Sequence, residues 1–71
     1  MSQINIMDIK KIIKDKQIKI EDMAKILNVS QSTISNNIKK IENGESSLKI
    51  IKKYFAILGY DVKIVVEKKD F

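Results

Sequence analysis

Several residue types that carry common protein chemistry are missing from this sequence. Its 71 residues include no cysteine, histidine, proline or tryptophan, only two glycines, and no arginine, because all 14 basic residues are lysine. Without cysteine there is no disulfide and no thiol chemistry, and without histidine as well a zinc site is strongly disfavoured. The absence of proline and the scarcity of glycine favour a mostly helical chain in which glycines mark the ends of elements.

The same absences argue against catalysis. There is no histidine or cysteine, no glycine-rich phosphate loop, and no carboxylate pair outside a solvated helix start. We therefore expect a protein that is not an enzyme and has no cofactor. The first residues, M-S-Q-I-N-I-M-D, lack the basic flank and the long apolar run of a signal peptide or membrane span. We expect a cytoplasmic protein with no membrane partner.

Size and charge point to two kinds of partner. A chain this short buries only about 60% of its unfolded surface, so such domains often depend on a second subunit, a metal or a disulfide. Here the second subunit is the remaining candidate. The formal net charge of +5 suggests an anionic partner such as nucleic acid. A coding bias towards lysine and isoleucine codons would explain the same composition without any partner.

Apolar spacing predicts one domain over residues 1–71 with four helices, at about 5–16, 20–27, 31–43 and 47–58. Asn5 can cap the first helix, and Ser46 or Ser47 the fourth. Gly44 and Gly59 follow the third and fourth helices and should end them. The fourth helix has a wide apolar stripe, which suggests contacts beyond its own small domain.

The junction between the second and third helices is the most informative segment. Asn28 tolerates the left-handed conformation that ends a helix, and Ser30 is a favourable cap for the next one. Only Val29 separates them. Two helices joined by so short a turn must cross at a steep angle, which predicts a helix-turn-helix.

A strand is predicted at about 60–67, where apolar and polar residues alternate. A lone strand leaves its backbone groups unpaired, so it needs a partner strand. The same strand of a second subunit and the N-terminal Q-I-N-I segment are both candidates, and we favour the second subunit. The side chains expected to form this dimer contact are Tyr60, Val62, Ile64 and Val66.

The third helix should bury Ile34, Ile38 and Ile41 and expose a polar face. No acidic residue occurs from Ser30 to Lys40, although acids occur before and after. A face without acids suits DNA, because a carboxylate repels phosphate, and amide and hydroxyl groups can bond to base edges. The alternative interpretation is an ordinary solvated face with a capped start. We predict that the base-reading side chains are Gln31, Ser32, Thr33, Ser35, Asn36 and Lys39.

The segment I-E-D-M-A-K-I-L-N-V-S-Q-S-T-I-S resembles the helix-turn-helix of the lambda-repressor-like (XRE) family, the phage repressor and Cro type. The resemblance implies a mostly α fold of four helices followed by one C-terminal β-strand, paired across a homodimer. By position it makes Gln31 and Ser32 a base-reading pair and Asn43 a phosphate contact. Further phosphate contacts are expected from Lys19 and Lys40, with Lys25 as the weakest candidate.

Three positions depart from the family pattern. Ile20 stands where the family has a glutamine that contacts phosphate and braces the next helix. Ile13 stands where an arginine often pairs with the glutamate matched here by Glu42, which leaves Glu42 to Lys14, Lys10 or solvent. The segment from Ser35 to Gly44 is about one turn longer than usual. Since arginine is the commonest reader of guanine, its absence predicts an A·T-rich operator.

Two functions from different classes fit the sequence. The first is a dimeric repressor that binds double-stranded DNA at a palindrome. The second is an antitoxin or other protein-interaction module, which neutralises a toxin or other partner through its fourth helix or terminal strand. A surplus of exposed apolar side chains on the fourth helix in the dimer would favour the second.

Overall fold

The fold is described from a computed structural model, which defines residues 5–63. A 3₁₀ turn at Ile6–Asp8 leads directly into the first α-helix, and the elements run in the order α1 (Ile9–Asp15), α2 (Ile20–Leu27), α3 (Gln31–Glu42) and α4 (Leu48–Ile57). The four predicted helices are therefore confirmed, with the first beginning as a 3₁₀ turn. None of the helices in residues 5–63 has the length and apolar character needed to cross a membrane.

Side-chain caps fix the starts of three of the helical segments. The Asn5 Oδ1 atom accepts a hydrogen bond from the Met7 backbone N–H at 2.9 Å. Ser30 Oγ accepts from the Thr33 N–H at 3.1 Å, and Ser47 Oγ accepts from the Ile50 N–H at 3.4 Å. Each bond satisfies a backbone donor that the helix itself leaves free. Asn5 and Ser30 cap as predicted, and Ser47 is the one of the two candidate serines that caps α4.

All four helices end with a residue in the left-handed region. The φ angles are 56° at Gln17, 56° at Asn28, 73° at Gly44 and 86° at Gly59. In each case the N–H of the following residue returns to a carbonyl five residues earlier, as in Tyr60 N–H to Phe55 O at 2.9 Å. This is the Schellman arrangement, which satisfies carbonyls of the last turn. Asn28 and the two glycines were predicted to end helices, whereas Gln17 was not.

Within the described residues the core consists of apolar side chains and one tyrosine, Tyr54. Its buried side chains come from all four helices and from the residue that follows α4, and they are Ile9, Ile12, Ile13, Met23, Ala24, Ile34, Ile38, Ile41, Tyr54, Phe55 and Leu58. The predicted stripe of α3 is confirmed, since Ile34, Ile38 and Ile41 are all buried. Burying this stripe leaves the opposite side of α3 facing outward.

The chain after α4 forms no strand over residues 60–63. The Tyr60 ring instead packs edge-on against Phe55, with 6.2 Å between ring centroids, and Lys16 Nζ lies 5.1 Å from the Tyr60 centroid. Val62 is half-buried against the same core. Tyr60 thus makes contacts within its own chain, and the remainder of the predicted strand, with Ile64 and Val66, lies outside the described residues.

One candidate partner for that strand is already structured differently. Of the Q-I-N-I segment, Asn5 caps the 3₁₀ turn and Ile6 lies within it. The Asn5 backbone is extended, at φ −80° and ψ 127°, but its side chain is used to cap the turn, and the helical turn begins at Ile6. The two residues before them lie outside the described range.

Candidate nucleic-acid interface

The turn between α2 and α3 is fixed by its backbone conformation. Asn28 has φ 56° and ψ 47°, and the N–H of Val29 bonds to Ala24 O at 3.0 Å. Ser30 is extended, at φ −74° and ψ 158°, before α3 begins at Gln31. Three residues therefore redirect the chain, and the helix-turn-helix expected from the sequence is present.

The outward side of α3 carries the predicted base-reading residues. Gln31, Ser32, Thr33, Ser35, Asn36 and Lys39 are all exposed. At 100° per residue, Ser32, Asn36 and Asn43 lie opposite the buried isoleucines. Gln31 stands at the start of the helix, where its side chain lines a groove with Ser30, Asn28 and α2. These side chains therefore all lie on α3. Ser32 and Asn36 point away from the core, and Gln31 lies beside α2.

Two members of this set have neighbours that constrain them. The Thr33 Oγ1 atom lies 2.9 Å from Ser30 Oγ, so its hydroxyl shares a hydrogen bond with the cap. Ser35 lies on the flank of α3 that faces α1, in a groove with Lys10, Ile13 and Lys39. Asn36, by contrast, makes no side-chain hydrogen bond within the described residues and points directly outward.

The predicted phosphate-contacting residues are exposed at two ends of the motif. Lys19 immediately precedes α2, and Lys40 and Asn43 lie at the C-terminal end of α3. All three are exposed. Lys25 is also exposed, but its Nζ lies 3.6 Å from Glu21 Oε1 in the same helix. That pairing leaves Lys25 a weaker candidate for a phosphate contact than the other lysines.

Glu42 is the single acidic residue of α3, and its charge is partly compensated. Its Oε1 atom lies 3.6 Å from Lys10 Nζ on α1, and its side chain is 29% exposed. Of the three alternatives left open by the sequence, the structure selects Lys10. The pair connects α1 to the last turn of α3 and reduces the negative field at that end of the helix.

Asn37 is a functional candidate that sequence reasoning missed. It is half-buried, and its Nδ2 donates a hydrogen bond to the hydroxyl of Tyr54 on α4 at 2.8 Å. The sequence could have identified Asn37, because it lies three residues after Ile34 and four before Ile41, at a position of the buried stripe. A polar residue at an apolar-period position needs a partner when it is buried.

The apolar residues of the fourth helix are mostly covered within the single chain. Within Leu48–Ile57, Tyr54 and Phe55 are buried, and Ile50, Ile51 and Ile57 pack against the core. Leu48 is its one large apolar residue in the exposed class, at 37%. The wide stripe is therefore used mainly inside the described domain.

Comparison with known proteins agrees with this geometry. Residues 5–68 match a protein family described as HTH domain, a helix-turn-helix family that binds DNA and is typically non-enzymatic. Searches among curated proteins and solved structures gave no match. The match covers most of the chain and includes the α2–turn–α3 motif, so the chain belongs to this helix-turn-helix family.

Proposed function

We propose that this protein is a sequence-specific regulator of transcription, of the lambda-repressor-like type, that binds a palindromic A·T-rich operator as a homodimer and represses. The observation that carries the proposal is the outward face of α3. It presents amide, hydroxyl and ammonium groups and no carboxylate from Gln31 to Lys40, on a helix held at a fixed turn. A helix with such a face fits the major groove of DNA.

The chemistry of this face favours adenine and thymine. Gln31 and Asn36 each carry an amide that can donate to N7 and accept from N6 of adenine in a paired contact. With no arginine in the chain, Lys39 is the α3 side chain best suited to guanine. We therefore expect A·T pairs opposite Gln31 and Asn36.

Affinity would come mainly from lysine contacts with phosphate. Such contacts position a protein on DNA but do not select sequence. Lys19 precedes α2 and Lys40 lies in the last turn of α3, so they would hold the helix-turn-helix on the DNA backbone from its two ends. Asn43 would add an uncharged contact at the end of α3.

A homodimer explains how so small a domain could read enough sequence. Two copies related by a twofold axis would place their recognition helices in successive major grooves, about 34 Å apart. Tyr60, Val62, Ile64 and Val66 remain the proposed contact between copies. Repression would follow where the operator overlaps a promoter.

The test is selection of bound sequences from a random duplex pool. We expect a twofold-symmetric, A·T-rich motif from the wild-type protein. Gln31→Ala should lose information at one position in each half-site, whereas Lys40→Gln should weaken binding and leave the motif unchanged. Salt-sensitive binding without any motif would contradict sequence-specific regulation, and a G-rich motif would contradict the assigned readers.

The dimer is tested separately by sedimentation at several protein concentrations, with and without operator. A single two-to-one complex of protein with the palindrome is expected. Ile64→Lys should yield a monomer that binds a half-site only weakly. A wild-type monomer that binds the full palindrome with no dependence on this residue would contradict the proposed contact.

A further inference from the structure

The hydrogen bond between Asn37 and Tyr54 differs from every other side-chain hydrogen bond in residues 5–63. The others connect residues two or three positions apart and serve helix starts, whereas this bond joins α3 to α4 across 17 residues. It is therefore the side-chain hydrogen bond that joins the proposed recognition helix to another helix, besides the longer ion pair between Glu42 and Lys10 of α1.

Its surroundings make the bond strong. Tyr54 is 1% exposed and belongs to the core, and Asn37 is half-buried. A hydrogen bond shielded from water is electrostatically stronger than an exposed one, and leaving a buried hydroxyl without a partner is costly. The donor–acceptor distance of 2.8 Å lies within the usual range for an N–H···O hydrogen bond.

The other contacts of α3 restrict its rotation less. Ile34, Ile38 and Ile41 are chemically identical and lie one turn or nearly one turn apart along the helix. Hydrophobic burial has no preferred direction, so these isoleucines oppose a small rotation of α3 through packing and not through a fixed bond angle. A hydrogen bond, by contrast, weakens steeply when its angle changes.

Small rotations matter greatly for base reading. Side chains extend about 6 Å from the axis of an α-helix, so a rotation of about 20° moves a terminal amide by about 2 Å. That exceeds the range of a hydrogen-bond distance. A lysine on its flexible four-carbon stem can follow the same movement and keep its phosphate.

We propose that Asn37 and Tyr54 are positioning residues whose hydrogen bond sets the rotation of α3, so that discrimination between DNA sequences depends on it while general DNA affinity does not. The neighbour of Asn37 in the chain is Asn36, the outward amide, so the bond fixes the backbone beside a proposed base reader. This inference rests on the proposed function and adds the residues that orient its reading helix.

The experiment measures the dissociation constants for the selected operator and for a scrambled duplex at one salt concentration. The dissociation constant for the scrambled duplex divided by that for the operator measures discrimination between the two sequences. We expect Tyr54→Phe to lower this ratio about 5- to 100-fold, the effect of losing about one good base contact. The constant for the scrambled duplex should change less than twofold. Asn37→Ala should act in the same direction.

A double variant separates positioning from stability. Asn37→Leu combined with Tyr54→Phe replaces both polar partners by apolar groups, a change that is often neutral for stability. We expect its melting temperature to recover towards the wild-type value while the ratio stays low. Ile12→Val is the matched control, because it lowers stability by removing a buried methyl group on α1 and should leave the ratio unchanged.

Each outcome decides a specific point. A wild-type protein that does not discriminate between the duplexes removes the proposed function and this inference with it. A discriminating wild type with unchanged ratios in the folded variants overturns the positioning role alone. A ratio that recovers together with melting temperature in the double variant also overturns it, because stability would then explain the effect. If Tyr54→Phe does not fold, the ratio measured for Asn37→Ala and for the double variant tests the same role.

Discussion

Ser30 holds the first turn of α3 through two hydrogen bonds to Thr33. Its Oγ atom lies 3.1 Å from the Thr33 backbone nitrogen and 2.9 Å from the Thr33 Oγ1 atom. The cap therefore orders the same turn that carries Gln31 and Ser32. Stability of the helix start and presentation of the proposed base readers depend on one serine, and substitutions at this position can separate the two.

Replacing Ser30 with alanine should destabilise the fold. The loss of an N-cap hydroxyl costs about 1 kcal/mol, which corresponds to a fall in melting temperature of about 4–8 °C for a domain of this size. Thermal unfolding monitored by circular dichroism measures the shift. An unchanged melting temperature would show that the Ser30 cap contributes nothing to stability.

Ser30→Asp should separate helix capping from DNA binding. Aspartate also caps helices and interacts favourably with the positive end of the helix dipole. We expect stability equal to or above that of the wild type. DNA affinity should nevertheless fall at low salt, since the new carboxylate would stand at the face that approaches phosphates. Retained affinity would argue that α3 does not enter DNA by its N-terminal end.

Gln17 offers a route to a more stable protein. It adopts φ 56° between α1 and α2, without the glycine found at two of the other helix ends. Residues with a Cβ pay about 1–2 kcal/mol in this conformation, which Gln17→Gly would relieve, although the glycine also gains entropy in the unfolded chain. We expect the free energy of unfolding, measured by chemical denaturation, to rise by about 0.5–1 kcal/mol.

Lys14→Gly is the control for that gain. Lys14 lies within α1, three residues before Gln17, where glycine costs about 1 kcal/mol of helix stability. The two substitutions should therefore change the denaturation midpoint in opposite directions. Equal losses from both would mean that the Gln17 side chain has a stabilising role larger than its backbone strain.

Much of the helical framework could be predicted from the sequence, for physical reasons. The isoleucine spacing of α3 dictates one buried side, and Ser30 and Asn28 favour the conformations they adopt at the turn. Gln17 was missed because its left-handed conformation opposes the preference of a residue with a long side chain. Local propensity predicts a helix end correctly only where a residue's own preference agrees with the conformation that it adopts in the fold.

The tertiary polar contacts were harder to predict. The sequence alone left Glu42 with two possible lysine partners, Lys10 and Lys14. Which of them it meets depends on how α1 lies against α3, and the structure pairs it with Lys10. The Asn37–Tyr54 bond depends on where α4 crosses α3, which periodicity does not specify. The exposed reading face was easier, since it is simply the side of α3 opposite the isoleucines.

Glu42→Gln should strengthen DNA binding. The substitution removes the acid of α3 and releases Lys10, whose side chain is 65% exposed. A partly exposed pair contributes about 0–1 kcal/mol, so stability should change little. Affinity for all duplexes should rise at low salt, by more than in Asp15→Asn, which makes the same charge change at the end of α1. Weaker binding would instead show that the Lys10–Glu42 pair orients α3.

Lys40→Gln tests whether the end of α3 contacts the phosphate backbone. Each lysine that neutralises a phosphate releases counterions, so the slope of log affinity against log salt should become shallower by about 0.9. The loss should be similar for operator and scrambled duplexes, because phosphate contacts carry no sequence information. Lys11→Gln is the matched control: it removes the same charge from the exposed side of α1, away from the reading face, and should leave the slope nearly unchanged. Equal slope changes in the two variants would mean that net charge alone attracts DNA, whereas a change confined to Lys40→Gln would place the backbone beside the last turn of α3.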